Sequence, residues 1–261
     1  MISIQLKKSY FVKERIFFTT DQEFYNIKTS ADVVESYYGK VKPKSSLFSS
    51  TQSLYSAEND LTLTAEQLRA SFTKTVKNEL NRAEKESHSF LCYSSNDIIR
   101  DVNLMPFLRK QYELFCVDNN REQIAGYFQE NELNAIAQNG GLLITRVTYE
   151  FGDIYHIYVH DEINSMLWFS FSVKNQIGED RNLQGRMNKL LHFNDFVLLQ
   201  SKGIHCFNWG GLFDPNNPNG IDKFKLSFGS TPCDAYTIMR GNTLKGKLLV
   251  FLLNIKKMLK R

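Results

Sequence analysis

Long apolar stretches are missing from this sequence of 261 residues. The longest uninterrupted apolar run, at residues 248–253, has six residues, whereas a helix that crosses a bilayer needs about 20. Residues 1–8 contain two lysines and lack the apolar core of a signal peptide. The sequence therefore predicts a cytoplasmic protein, which at most lies against the inner surface of the membrane.

Cysteine is also scarce, and no C-x-x-C pair occurs. The four thiols are widely separated: Cys92, Cys116, Cys206 and Cys233. In a chain of this length they are typical of free thiols in a reducing compartment. His156 and His160 would share one face of a strand, but no third ligand follows at a recognisable spacing, so no metal site is predicted.

Glycine and proline number only 14 and 5, which excludes collagen-like and low-complexity chains. By contrast, 20 Phe and 12 Tyr supply far more buriable surface than disordered chains carry. The 32 basic and 28 acidic residues leave a net charge of +4. This balance is compatible with an anionic small molecule and gives no reason to expect a nucleic acid partner.

The order of the predicted elements indicates a mixed α/β fold. Residues 1–60 are β-rich, and an amphipathic helix then begins at Thr64, with apolar residues every three or four positions up to Ala83. Three strands at residues 142–150, 154–160 and 165–173 are joined by short polar turns and should be antiparallel. A helix at 184–202, a strand at 204–209 and a further helix and strand follow. We therefore predict a β-rich segment (1–60), a central core (61–241) and a basic, apolar C-terminal helix (242–261).

One nucleotide-binding motif is nearly complete. Residues 241–247 match the G-x-x-x-x-G-K of a P-loop, and a strand precedes them. However, Leu248 stands where a Ser or Thr hydroxyl must bind Mg²⁺. The sequence therefore argues against a nucleoside triphosphatase site.

A second candidate for phosphate binding lies at residues 181–193. Here a strand leads into a polar, glycine-containing segment that opens a helix, and the free N–H groups and positive dipole end of such a helix attract pyrophosphate. The candidate contacts are Gln184, Gly185, Arg186 and Asn188. On the same helix Asn188, His192 and Asp195 are spaced by four and three, so they form one polar stripe.

Three short motifs follow one another in residues 186–229. They are R-x-N-x-L-L-H at 186–192, G-I-x-x-F-x-x-G-G at 203–211 and G-I-x-x-F-K-x-x-F-G at 220–229. Together with the basic helix at 77–85, they resemble the FemAB-like branch of the GNAT acyltransferase superfamily. The resemblance covers residues 62–240. It implies a GNAT-like fold with a central, mostly antiparallel sheet flanked by helices.

The resemblance also implies a reaction. In this superfamily two neighbouring strands splay apart, the pantetheine arm of acyl-CoA lies between them, and an amine attacks the thioester. Residues 165–173 and 205–209 would be these strands. We expect an enzyme that transfers the acyl group of acyl-CoA to an amino sugar, nucleotide-linked, in a surface-polysaccharide pathway. The alternative is an aminoacyl-tRNA-dependent, FemX-like transferase that extends a peptidoglycan precursor.

Roles for single residues follow from this expectation. His192 would accept the amine proton, oriented by Asp195, or would be a hydrogen-bonded core residue. Asn208 would hold the oxyanion or the amine, and Lys225 would supply positive charge. For substrate binding, Trp209 would stack on a pyrimidine or lie in the core, and His160 would line the cleft.

A non-enzymatic reading rests on the tail. Residues 244–261 combine apolar runs with lysines and an arginine. As a helix this segment would lie on an anionic membrane surface or pack against a second subunit in a homodimer. The reading makes the chain a membrane-surface or assembly module, and it is compatible with catalysis.

Overall fold

The computed structural model describes residues 1–175 and 180–259. The strands are β1 (Ile2–Lys8), β2 (Phe11–Phe17), β3 (Val33–Gly39), β4 (Ser49–Asp60), β5 (His88–Ser94), β6 (Leu142–Tyr149), β7 (Gly152–His160), β8 (Asn164–Lys174), β9 (Cys206–Leu212) and β10 (Thr231–Gly241). The helices are α1 (Asp21–Asn26), α2 (Ala65–Ser71), α3 (Lys74–Ala83), α4 (Ser95–Arg100), α5 (Leu104–Asp118), α6 (Glu130–Gln138), α7 (Arg181–Ser201), α8 (Gly220–Leu226) and α9 (Leu244–Met258), with a 3₁₀ helix at Glu122–Tyr127. The predicted mixed α/β class is confirmed.

The chain forms two compact units. Unit 1 contains residues 1–57, 210–222 and the described residues from 232 onward, and unit 2 contains the described residues of 58–209 and 223–231. The sequence-based division at residues 60 and 242 concerns different boundaries and stays a prediction.

Unit 2 contains a mostly antiparallel sheet. Its strand order is β9-β8-β7-β6-β5, and each neighbouring pair from β5 to β8 is antiparallel. The three strands predicted from the sequence are β6, β7 and β8, each within two residues of its expected ends. Only β9 runs parallel to its neighbour β8, because α7 carries the chain back across the sheet between them.

An aromatic cluster forms the centre of unit 2. Phe72, Phe196, Phe207, Trp209 and Phe228 are each at most 2% exposed. Their rings meet mainly edge to face, with centroids 4.8–6.2 Å apart in the closest pairs, a geometry that aromatic quadrupoles favour.

The single helix predicted from Thr64 to Ala83 is wrong. The backbone leaves the helical region at Phe72, which has φ −68° and ψ 152° and ends α2. Thr73 then caps α3, and its hydroxyl accepts a hydrogen bond from the Val76 amide. The apolar stripe continues across the break because Phe72 still points into the cluster.

Unit 1 combines parallel and antiparallel pairing. Its strand order is β1-β2-β3-β10, followed by residues 49–57 of β4. Strands β2 and β3 are parallel, whereas β1–β2 and β3–β10 are antiparallel. Ile16, Phe24, Val34, Val41 and Ile238 form its buried cluster. No helix in the described part of the chain has the length and hydropathy to cross a membrane.

Gly229, the last residue of the motif at 220–229, allows a test of how closely this segment packs against α2. Gly229 has φ +69°, and an added Cβ would lie 2.4 Å from the Ser71 Oγ and 2.9 Å from the Ser71 carbonyl oxygen. Gly140 has a similar φ of +73°, but an added Cβ would meet nothing within 4 Å. Gly140→Ala should therefore lower the unfolding free energy by about 1–2 kcal/mol through backbone strain alone.

Gly229→Ala should lower the unfolding free energy by ~1–3 kcal/mol more than Gly140→Ala does, because the added methyl group overpacks the contact with Ser71. Urea denaturation of both variants measures the difference. Equal losses in the two variants would contradict the close approach of Gly229 to α2.

Candidate functional site

Strands β8 and β9 separate soon after they meet. They pair at only three positions, Asn164↔Cys206, Ser165↔Phe207 and Met166↔Asn208. Strand β8 nevertheless continues to Lys174. The described pairing thus agrees with the sequence-based expectation that these two strands splay, and it leaves an edge of β8 beyond Met166.

A cavity of about 530 Å³ lies along this edge. Its walls come from the end of α5, from β7 and β8, and from the start of α7: Phe115, Asp118, Asn119, Ile154, Ser170, Phe171, Ser172, Lys174, Arg181, Gln184, Gly185 and Asn188. Side chains at 170 and 172 point to one face of β8, and that at 171 to the other. Because residues of both faces line the cavity, it follows the strand edge.

The α7 wall uses one face of the helix. Residues 181, 184, 185 and 188 are related as i, i+3, i+4 and i+7, which places them on one side. Three of the four predicted cofactor contacts, Gln184, Gly185 and Asn188, are therefore brought together here. The Gln184 side-chain amide also donates to the Ser172 hydroxyl.

Arg186 lies elsewhere. Its guanidinium is 3.1 Å from the Glu86 carboxylate, and Arg186 is not among the residues that line the cavity. Two residues beyond Gln184 correspond to about 200° around a helix. Arg181, the other arginine near the predicted start of this helix, and Lys174 are the cationic residues that line this cavity, next to one acidic residue, Asp118.

The start of α7 differs from the sequence-based prediction. The helix begins at Arg181, not Gln184, and Asp180 caps it. The Asp180 carboxylate accepts hydrogen bonds from the amides of Asn182 and Leu183, at 2.8 and 3.0 Å. The Asp180 carboxylate thus occupies two backbone amides at the helix start, where the sequence predicts a pyrophosphate contact.

Behind the cavity wall lies a buried polar chain. The His156 Nε2 is 3.0 Å from the Asn188 Oδ1, and its Nδ1 is 2.7 Å from the Asp195 Oδ2. The Tyr158 hydroxyl donates to the same Asp195 oxygen at 2.5 Å. Burial, followed by the charge of Asp195, raises the pKa of Tyr158 well above its usual value, so its hydroxyl keeps its proton. The chain connects Asn188 at the cavity with a fully buried carboxylate.

His192 is enclosed in the core. Its ring stacks on His156 with centroids 4.0 Å apart and lies 4.6 Å from the Trp209 ring. Its exposed fraction is 1%. Burial, followed by the electrostatic interaction with His156 and the positive charges of Lys225 and Lys189, lowers the pKa of His192 well below its usual value. The imidazole is therefore neutral, and its role as a proton acceptor stays a prediction.

The ligand atoms of His156, His192 and Asp195 lie within 4.8 Å of one another. The two rings are stacked with 28° between their planes. Nitrogen lone pairs lie in the ring plane, so stacked rings direct them along similar directions and not towards one ion. This geometry favours a packed core, in which His156 and Asp195 are hydrogen-bonded, over a metal centre.

The other predicted site residues lie near the point where β8 and β9 separate, or in the core. The Asn208 side chain is 8% exposed, and its Nδ2 donates to the Glu58 Oε1 at 3.3 Å. Trp209 is 2% exposed, and its indole N–H donates to the Asn59 Oδ1 at 2.6 Å. The structure thus places the Trp209 ring in the aromatic cluster. Lys225 is half-buried on α8.

His160 is separate from these residues. It ends β7, and its Nδ1 lies 3.1 Å from the Asp161 carbonyl oxygen. Burial lowers the pKa of His160 from its usual value. His160 does not line the described cavity, so its contact with a substrate stays a prediction.

Glu58 is a candidate site residue that no sequence motif indicates. It is half-buried in the last residues of β4 and meets Asn208 at the point where the β8–β9 pairing ends. Glu58 is one of two acidic residues of β4, with Asp60, and the sequence does not distinguish between them. Its pairing with Asn208 depends on a contact across 150 residues, which no local pattern reports.

No protein-family model and no curated protein matches the chain. Solved structures do match. FemX superposes with a TM-score of 0.54 at 10% identity, covering 70% of this chain and 61% of the FemX chain. The fold is FemAB-like.

A second solved structure supports the same fold. L-PGS from Bacillus licheniformis superposes with a TM-score of 0.51 at 14% identity, covering 96% of this chain and 85% of the other. The fold that the sequence motifs imply is therefore confirmed. The chain spans less than two thirds of the FemX chain.

The buried histidine allows a test by pH. Because the pKa of His192 in the folded protein lies well below its usual value of 6.5, the unfolded chain takes up a proton first as the pH falls. Unfolding free energy is therefore lost below about pH 6.5, by up to ~1.4 kcal/mol per pH unit for one such group. His192→Phe keeps an aromatic ring in the cluster and should make this slope shallower between about pH 6.5 and 5.

The control is Phe196→Leu, which perturbs the same cluster without removing a titratable group. It should lower the unfolding free energy by a similar amount at every pH. Urea denaturation across the pH series measures both slopes. An unchanged slope in His192→Phe would show that this residue is not a neutral, desolvated imidazole.

Proposed function

We propose that this protein is an acyltransferase that moves an acyl group from a coenzyme A thioester to the primary amine of an amino sugar. The observation that carries the proposal is the end of the β8–β9 pairing at Met166 and Asn208, beside a cavity with a cationic rim. The FemAB-like fold supports a group-transfer enzyme. The nucleotide-linked sugar and the surface-polysaccharide pathway belong to the same proposal.

The donor would extend along the β8 edge. Its phosphates would meet Arg181 and Lys174, since a charged hydrogen bond to phosphate is stronger than a neutral one. Its pantetheine amides would pair with the strand edge, as an added strand does. From Ser170 to Met166 the strand advances about 13 Å, which brings the thioester to Asn208.

The chemistry there needs a proton acceptor. The neutral amine nitrogen attacks the thioester carbonyl carbon, the C–N bond forms, and the C–S bond then breaks to release the coenzyme A thiolate. We assign the amine proton to the Glu58 carboxylate, because it meets Asn208 and is more exposed than the enclosed His192. Lys225 would supply positive charge to the oxyanion or to a substrate phosphate.

Residues behind the cavity would act by position. Asn188 borders the cavity and is held by His156, which is held in turn by Asp195. Hydrogen bonds between buried side chains fix their orientation. It would keep the α7 wall rigid while the donor binds.

A second candidate is the aminoacyl-tRNA-dependent, FemX-like transferase acting on a peptidoglycan precursor. The structural similarity to FemX favours it. In this case the attacked carbonyl belongs to an aminoacyl ester, and the same gap and proton acceptor would serve. The net charge of +4 is a modest attraction for a long polyanion.

Donor binding distinguishes the two arginines of α7. Coenzyme A at one hundred times its Kd should stabilise the protein by about 2.7 kcal/mol in thermal unfolding. Arg181→Ala should weaken coenzyme A binding by about 10- to 100-fold, since a charged contact contributes about 1.5–3 kcal/mol. Binding of pantetheine, which has no phosphate, should change little.

Arg186→Ala is the matched control and should leave coenzyme A binding unchanged, because Arg186 faces Glu86. Calorimetric titration of both variants decides. A larger loss in Arg186→Ala would place the phosphates where the sequence alone suggests. No binding of coenzyme A by the native protein would remove the acyl-CoA proposal and leave the tRNA-dependent one.

Turnover tests the reaction itself. Acyl-CoAs combined with amino-sugar nucleotides should release free thiol, whereas charged tRNA should be inert. Glu58→Gln should lower kcat by about 10²- to 10⁴-fold, the range for loss of a general base, without changing Tm or donor affinity. Glu66→Gln, an exposed carboxylate on α2, is the control. Transfer only from charged tRNA, abolished by ribonuclease, would establish the second candidate.

A further inference from the structure

Helix α9 leaves one apolar face uncovered. Its inward side is held by Val250, which is fully buried, and by Gly246, where an added Cβ would lie 1.7 Å from the Asp32 carbonyl oxygen. Seven large apolar side chains project from the opposite side and are between 37% and 87% exposed: Leu244, Leu248, Phe251, Leu252, Ile255, Met258 and Leu259. We call these seven residues the α9 stripe.

The α9 stripe has regular helical spacing. Its members follow one another at three or four residues, or are adjacent, and at 100° per residue they occupy an arc of about 120°. Leu47 lies next to the helix, because the Asn254 side chain donates to the Leu47 carbonyl oxygen. The Leu47 side chain is also exposed. The uncovered surface is therefore continuous and does not consist of scattered apolar residues.

Lysines border the α9 stripe on both sides. At 100° per residue, Lys245 and Lys256 lie next to Leu252 on one edge of the stripe. Lys247 lies next to Met258 on the other edge. The helix contains no acidic residue. Outside the helix, the Asp32 carboxylate lies 3.7 Å from the Lys245 Nζ. The helix thus combines an apolar face with cationic edges.

We infer that α9 docks on an anionic lipid bilayer, with the stripe among the acyl chains and the lysines at the head groups. The 15 residues of α9 measure about 22 Å, too short to span a bilayer but suited to lie in its surface. A dimer through the stripe would instead bring the lysine edges of two copies together with no acid on either helix. The charge pattern therefore selects the lipid surface.

Residues 260 and 261, which belong to the predicted basic tail, lie outside the described residues. Docking through the α9 stripe does not require these two residues. Membrane binding is also measured without donor or acceptor, so it does not depend on the proposed reaction.

The test is flotation of the full chain with vesicles. Vesicles of phosphatidylcholine with about 30% phosphatidylglycerol have an anionic surface. They should carry the protein upward at low salt. Pure phosphatidylcholine vesicles should carry far less. Leu248→Ser with Leu252→Ser should abolish flotation, whereas Val102→Ser, at an even more exposed apolar position of unit 2, should not.

A second pair of variants isolates the charge. Lys247→Gln with Lys256→Gln should lower the partition coefficient onto anionic vesicles by about fivefold per lysine. Lys7→Gln with Lys8→Gln, which removes two exposed lysines from β1, should lower it far less. All four substituted positions are exposed or half-exposed, and circular dichroism melting confirms that each variant is folded.

Three outcomes would overturn the inference. They are no flotation with anionic vesicles at low salt, flotation that survives the paired leucine substitution, and a dimer in solution that this substitution dissociates while vesicles remain unbound. The last result would assign the α9 stripe to a second copy of the chain.

Discussion

The site depends on one constraint, the end of the β8–β9 ladder at Met166 and Asn208. A parallel pair needs a crossover connection, and α7 provides it above the same strands. Beyond the last pair, β8 keeps its backbone polar groups along an edge, and the cavity, its cationic rim and the Glu58–Asn208 contact are arranged along that edge or at its start. Continuous pairing of β9 with β8 would close the gap that the proposed donor needs.

Periodicity in the sequence predicts much of unit 2. The strands β6 to β8 and the polar face of α7 follow from local spacing, and Asn188 and Asp195 do converge, on His156. The stacking of His192 on His156 could not be predicted, because it requires the position of α7 over β7. Helical spacing predicts which face of a helix a polar residue occupies, but it does not predict which residue of another element contacts it.

Two differences between the sequence-based expectations and the structure share one physical cause. A glycine at position 185 suggests a loop, but the Asp180 cap starts α7 before it, and the rotation of the helix then turns Arg186 away while it brings Arg181 in. Similarly, the Thr73 cap divides α2 from α3 within an unbroken apolar stripe. Caps are single side chains with local hydrogen bonds, and hydrophobic periodicity is insensitive to them.

Asp195, His156 and Tyr158 depend on one another energetically, because all three meet at one carboxylate oxygen. His156 and Tyr158 both contact the same oxygen, and all three side chains are fully buried. Loss of one member leaves the others with unsatisfied polar groups in a low-dielectric core, so the effects of substitutions here cannot add independently. Any redesign of this core, or any drift of it during evolution, must exchange the three positions together, because each intermediate with one member missing is less stable than either end point.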